Sequence, residues 1–435
     1  MRALAYWLTI AFIFSIPWEN AVQLGGLGRG SKLLGLATAV VWAASIILRR
    51  RLREPDTFHK AFFLLTAWSG LTFYWSIDAG ATASGFITHA QLFLMVFIIW
   101  DLCETESAVE TALQAYVLGA YVSSFSIISE FLTAPASKFP EHERLKGLGT
   151  EVDGIALIVA VAIPAAWYLA AGPTNQQRSN GRRFVNYLYV PVGLFAVAIT
   201  GTRGATLALV PAAAFVLWSL RRAGSAQRIA AAATLVAAVA VLVVYAPRGP
   251  LTRIETAATA TELGSEGSAL SGRWGIWVQS SRAFLDRPIL GAGLDAHRAA
   301  VSGGLDDLRV FKTAEKEAHN TYISVLVETG IVGFLIFSSM IAIVVARIGQ
   351  LSGWRAWYWS VQLAVLAIGA MSLSLEESKS VWILLSLCVA SAAAVVFQRA
   401  LDEARTAVSE VSASTSDRDT AGGGRRWQPA PQRPQ

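Results

Sequence analysis

Long apolar runs alternate with short polar ones along almost the whole chain. They lie at roughly 4–18, 32–49, 59–76, 85–101, 110–132, 152–171, 184–200, 203–220, 228–246, 319–346, 356–375 and 379–398. Most are close to the 18–20 residues that a helix needs to cross about 30 Å of hydrocarbon. Lipid offers the backbone no hydrogen-bond partners, so such spans must be helical. The pattern therefore predicts an all-α, polytopic integral membrane protein of about 12 transmembrane helices. The first run has no small-residue cleavage site after it and further spans follow, so it reads as a span rather than a signal peptide.

Two stretches interrupt the rhythm, a medium loop at 133–151 and a long one at 247–318. The second is too long to be mere connection. The expected layout is nine spans in 1–246, a long loop in 247–318 with an amphipathic helix at 271–288, three spans in 319–400, and a tail at 401–435. The tail has almost no large apolar residues and is expected to be disordered.

Composition strengthens this reading. Of 435 residues 54% are apolar and 15% charged, a balance that soluble domains do not carry. The net charge of +6 becomes informative once it is located. Arg49, Arg50, Arg51, Arg53 and Lys60 share one short loop, and Arg178, Arg182 and Arg183 another. Arg221, Arg222 and Arg228 fall in a third, Arg347 and Arg355 in a fourth. All four lie on one side if the spans alternate, and the positive-inside rule makes that side cytoplasmic. Both termini are then cytoplasmic and the long loop faces outward. The opposite short loops, such as "SIDAGATASG" and "SLEESKS", are nearly free of basic residues. The basic residues thus read as membrane-topology signals, and no nucleic acid is expected as a partner. Cys103 and Cys388 suggest neither a disulfide nor a metal site.

The candidate chemistry gathers on the outer side. In "TGTRG", Gly201 and Gly204 permit a tight turn, Thr202 can cap the next helix, and Arg203 sits at that helix's outward N-terminus. An arginine there opposes the helix dipole. One reading is a side chain snorkelling to the interface; the other is an anion site shared by helix N–H groups and guanidinium. In "SGRWGIWVQSSRAFLDRP", Trp274, Trp277, Val278, Phe284 and Leu285 fall on one side of a helix that Ser271 can cap and Pro288 should end. This amphipathic helix is expected to lie on the outer leaflet or on the bundle. Arg273 stands in its first turn, again against the dipole. His319 opens the tenth span in "HNTYI", where Asn320 or Thr321 can cap. Arg144 and Lys146 precede the sixth span, which also runs outside to inside. Guanidinium groups and positive helix ends converging in this way suit a phosphate ligand. Arginines also stabilise the charge that a departing diphosphate gains, and a histidine has the pKa to take a proton from an attacking hydroxyl.

These segments resemble a known family. "RWGIW…FLDRPILGAG", followed about 25 residues later by "HNTYISVLVETGIVGFLIF", is similar to the core of the O-antigen ligase and O-antigen polymerase superfamily. "TGTRGATLAL" resembles its short arginine turn, and "RLKGLGTEVDGIAL" a further segment in which Asp153 replaces the usual Asn. The resemblance covers roughly 140–345. It implies a metal-independent, inverting membrane glycosyltransferase without cofactor, in the bacterial inner membrane with its active site facing the periplasm. Its donor would be a glycan on undecaprenyl pyrophosphate. A ligase passes that glycan to lipid A–core oligosaccharide; a polymerase passes it to another O-antigen or exopolysaccharide repeat. Carried over by position, Arg203, Arg273 and His319 are catalytic, the arginines on the donor diphosphate and the histidine at the acceptor hydroxyl. Arg144, Lys146 and Asn320 are assigned to substrate binding.

A 12-span transporter is the alternative from another class. Transporters place ionisable residues near the midplane. Here most lie at span ends, with Glu328 the exception, roughly 13 Å along the helix from His319. Glu328 reads as a buried polar tie, or as an orienting partner for the site.

Overall fold

The computed structural model describes residues 1–23, 29–133, 145, 147–148, 152–172, 179–222, 224, 228, 271–306 and 317–422, with side chains left out at 271–272, 303–306 and 409–422. Arg144, Lys146 and nearly all of the ninth expected span lie outside the described residues.

Eight helices form the first part of the bundle: α1 (Arg2–Ser15), α2 (Gly30–Arg49), α3 (Thr57–Leu71), α4 (Ala79–Leu102), α5 (Glu106–Thr133), α6 (Val152–Ala171), α7 (Asn180–Thr200) and α8 (Arg203–Ser219). Then come α9 (Ser271–Asp286) and α10 (His297–Asp306), and the closing helices α11 (Thr321–Gly349), α12 (Gly353–Ala370) and α13 (Lys379–Gly422). No strand occurs among the described residues. Seven of these helices are long and apolar enough to cross a membrane: α2, α4, α5, α6, α7, α11 and α13. The protein is an all-α, polytopic membrane protein. The helix α13 continues to Gly422, so 401–422 is helical where an unstructured tail was expected.

The helix α6 is the hub. It is buried along nearly its whole length, and Ala156, Ala160, Ala162 and Ala166 are each 0% exposed. Small side chains let backbones approach closely, which is how helices associate in lipid without a hydrophobic drive. Pro164 in α6 and Pro191 in α7 sit within helices, as membrane bundles tolerate.

One end of the bundle is clamped by ion pairs. Asp101, wholly buried, accepts from Arg2 Nη1 at 2.9 Å, Trp42 Nε1 at 3.0 Å and the Arg53 amide at 2.9 Å. The Arg53 guanidinium lies 3.5 Å from the centre of the Trp100 ring. Arg347 pairs with Asp56, and Arg355 with Glu106 at 2.9 Å. The described residues of the first and fourth basic loops thus meet at one end, as alternating spans require.

The other end is organised by a break in α11. Gly330 takes φ 65° and ψ −172°, outside the helical region. The carbonyls before it lose their helical donors, and unpaired carbonyls in an apolar setting cost several kcal/mol each. The loop after α9 replaces those donors. Ala292 N donates to Val327 O at 2.8 Å and Gly293 N to Glu328 O at 2.9 Å, while Ile331 N donates to Pro288 O at 2.9 Å. Trp68 Nε1 of α3 takes the Thr329 carbonyl at 2.9 Å. The same loop is bonded on its far side to the α3–α4 connection. Ile77 N donates to Ala292 O at 2.9 Å, Leu294 N to Thr72 Oγ1 at 3.0 Å, and Arg287 Nη1 to Trp75 O at 2.9 Å. The backbones touch so closely that a Cβ on Gly330 would fall on the Ile289 carbonyl, and one on Gly291 on the Glu328 carbonyl.

Gly330→Ala should therefore lose stability twice, by about 1–3 kcal/mol of backbone strain at positive φ and by the overlap itself. A melting midpoint lowered by several degrees in detergent is the expected result. An unchanged midpoint would show that the break is not held as described.

Candidate functional site

The site is built from helix starts at the end where α11 is broken. Asn320 caps α11: its side chain accepts from Tyr322 N at 3.0 Å and Ile323 N at 3.2 Å. This settles the two capping options in favour of Asn320. Thr321 does something else. Its hydroxyl donates to Leu373 O and accepts from Leu375 N, each at 2.8 Å, so it ties the α12–α13 connection to the start of α11. His319, just before the cap, is half-buried and holds φ 44°. A left-handed backbone is uncommon for a residue with a side chain. Such outliers persist only where surrounding structure enforces them, and they cluster at functional sites. Here Asn320 and Thr321 fix one side of it, and on the other Ala318 is buried and accepts from Trp277 Nε1 at 3.0 Å.

Arg203 opens α8 and is exposed. Gly201 makes the turn with φ 62°. Thr202 occupies the cap position, yet its side chain makes no capping bond and lies 3.1 Å from the Thr200 hydroxyl. Gly204 serves packing rather than the turn, since a Cβ there would fall on Ser372. Ser372 precedes Leu373, the residue bonded to Thr321. The start of α8 and the start of α11 therefore abut the same short connection, which brings Arg203 and His319 to one region.

Arg273 stands in the first turn of α9, with Nη2 3.5 Å from Asp153 Oδ2 at the start of α6. Asp153, the departure from the resembled motif, is thus an ion-pair partner that orients Arg273. The helix α9 lies on the bundle, rotated from the face expected. Ile276 and Ala283 are buried with Val301 of α10 and Val327 of α11, whereas Trp274 is 51% and Leu285 72% exposed. The reason is α10, which the sequence reading did not separate from the loop. Its His297 Nε2 lies 2.8 Å from Ser280 Oγ, so the inward stripe of α9 includes a serine. Trp277 is turned toward Ala318, which links the helix that carries Arg273 to the residue before His319.

Beside this arrangement is a polar cavity of about 130 Å³ that the sequence reading missed. Asp295, Glu317, Glu328, Glu376 and Glu377 line it together with Ser324. Ser324 Oγ lies 3.1 Å from Glu328 Oε1 and 2.6 Å from Glu376 Oε1. A hydroxyl has one proton to donate, so one of these two contacts requires a protonated carboxyl as its donor. Burial raises the pKa of Glu376, and the nearby Glu317 and Asp295 charges add to the rise. Glu377 is pushed up to about 7, first by burial and then by Asp295, Glu376 and Glu317. The available signal was "SLEESKS", read only for its lack of basic residues. Among the described residues no group of three or more His, Cys, Asp or Glu is arranged to hold a metal ion.

Residues 188–338 match the family model described as O-Antigen ligase. The matched range begins in α7 and ends in α11, and so contains Arg203, Arg273, His319 and Asn320. No curated protein matches the chain.

The raised Glu377 pKa has a consequence for stability. Its folded value lies above the ordinary one of about 4.5, so the folded protein binds more protons than the unfolded chain between the two values. Stability should decline as pH rises from about 4.5 to about 7, and Glu377→Gln should flatten the decline. Glu377 keeps much of its surface open to solvent despite its desolvated surroundings, so the effect is small. Melting at pH 5 and pH 8 measures it; a variant with the wild-type slope would contradict the assignment.

Proposed function

We propose, for a chain that belongs through residues 188–338 to the O-antigen ligase and polymerase superfamily, that it is a lipid-linked glycan ligase. It transfers a glycan from undecaprenyl pyrophosphate to lipid A–core oligosaccharide at the periplasmic face of the inner membrane. The basic loops then face the cytoplasm and the broken end of α11 faces the periplasm. One observation carries the reading: Arg203, Arg273 and His319 stand at the starts of three different helices at one end of the bundle, joined through Ser372, Leu373, Thr321 and Ala318.

The chemistry follows from that placement. The acceptor hydroxyl oxygen attacks the anomeric carbon from the face opposite the diphosphate, and the bond from that carbon to the diphosphate oxygen breaks. The diphosphate leaves with the electron pair. Arg203, Arg273 and the positive ends of α8, α9 and α11 hold the charge it gains. The hydroxyl proton passes to His319. Asp153 keeps the Arg273 guanidinium aimed, and Asn320 holds the helix start on which His319 stands. The strained backbone at His319 fixes where its imidazole emerges.

Arg203→Ala, Arg273→Ala and His319→Ala should each lower glycan transfer by about a hundredfold or more, with protein levels in the membrane unchanged. His319→Gly separates backbone from chemistry, because glycine accepts φ 44° without strain. That variant should be at least as stable as wild type and inactive. Retained transfer by either His319 variant would remove the proton-acceptor role. A strain lacking the protein distinguishes the two branches of the superfamily. Accumulated lipid-linked polymer with bare core means a ligase; core capped by a single repeat means a polymerase.

A further inference from the structure

The polar cavity beside the helix starts is not used by the chemistry described above, yet it borders it. Glu317 and Ala318, the two residues before His319, form part of its wall. Its floor is Glu328, 4% exposed, at the break of α11. Five carboxyl groups face this space against one arginine, Arg298, which is itself paired with Glu317.

One further atom in the wall lacks a partner: Glu376 Oε2 is buried and has no hydrogen bond among the described residues. His89 of α4, 3% exposed, also lines the cavity, with Nδ1 3.2 Å from the Gly85 carbonyl of its own helix. A buried polar atom left unpaired costs free energy, and a wall that leaves one is set to bond something that enters.

We propose that this cavity is the acceptor subsite, binding a phosphate-free sugar of the acceptor glycan through its hydroxyl groups. The inference rests on the glycan-transfer reading and deepens it. Sugar hydroxyls both donate and accept. The carboxylates accept from them, Glu376 Oε2 among them, while the Ser324–glutamate pair adds capacity on a deep face. The charge pattern decides which substrate enters. A diphosphate is drawn to Arg203 and Arg273 and repelled by the acids, since like charges set against one another are unfavourable. The donor's diphosphate end is thereby kept out of the cavity, and the acceptor is the substrate left to fill it. An acceptor sugar seated there presents its free hydroxyl past Ala318, toward His319. Donor and acceptor are sorted by the sign of the charge each meets at one end of the bundle.

The test uses the full-length protein in lipid nanodiscs. The donor and acceptor lipid fractions are extracted from a source strain deleted for it. Glu377→Gln and Asp295→Asn are the variants. Glu377 is exposed, and Asn tolerates the left-handed backbone of Asp295, φ 57°, so both should fold. Each should raise KM for the acceptor fraction about tenfold, with KM for the donor fraction and kcat near wild type. Arg273→Ala should instead raise the donor KM. Wild-type transfer with an unmoved acceptor KM in both variants overturns the acceptor subsite alone, as does a rise confined to the donor KM. A wild-type protein that transfers nothing overturns the glycan-transfer reading, and the subsite with it.

Discussion

The arrangement of one whole end of the bundle depends on how the break in α11 is satisfied. A helix interrupted at Gly330 within a membrane bundle exposes carbonyls that lipid cannot bond. Here the segment 288–293 lies along the break and supplies the missing N–H groups, while its other edge is bonded to the α3–α4 connection. The bonds run between segments far apart in sequence, so they fix their relative position rather than merely stabilising each. The helix α9 ends at one side of this clamp and α10 begins at the other. The position of Arg273, the depth of Glu328 and the wall contributed by Asp295 all follow from it. Glycine is required on both sides because the two backbones are in contact.

A second level of order is electrostatic. Arg203 and Arg273 are set apart from most of the acids at this end, with Asp153 paired to Arg273 and Arg298 to Glu317. Arg203 and Arg273 stand at helix starts, where the dipole is also positive; the carboxylates gather behind Ala318. Burial, with the Glu317 and Asp295 charges added to it, raises the pKa of Glu376, and Ser324 joins that carboxyl to Glu328. His319 lies at the border of the two fields. Its strained backbone, the cap beside it and the indole bond to Ala318 all act to hold that border still.

Much of this was legible in the sequence, for reasons of periodicity and punctuation. Apolar run length marked the helices, and loop arginines marked the common end. The dipeptide Asn320-Thr321 marked a helix start. The resemblance over the "RWGIW…FLDRPILGAG" and "HNTYISVLVETG" segments paired two stretches that the structure shows bonded backbone to backbone. What was not legible depends on tertiary placement. The buried face of α9 is set by α10, a short helix with no apolar run of its own. Thr202 holds the cap position without capping, its hydroxyl set against that of Thr200. Asp153 reads as an anomaly until Arg273 is placed beside it. The acidic cavity draws its lining from five separate segments, and no local pattern announces it.

Transfer of a glycan from a diphosphate-linked lipid is the activity proposed for this end of the bundle. The most direct measurement supplies the purified protein, without added metal, with defined undecaprenyl-pyrophosphate-linked glycan and lipid A–core. Mass spectrometry then follows both products. Glycan-bearing lipid A–core and free undecaprenyl pyrophosphate should appear in equal amounts. Glycan joined only to further lipid-linked glycan, or no consumption of the donor, would contradict it.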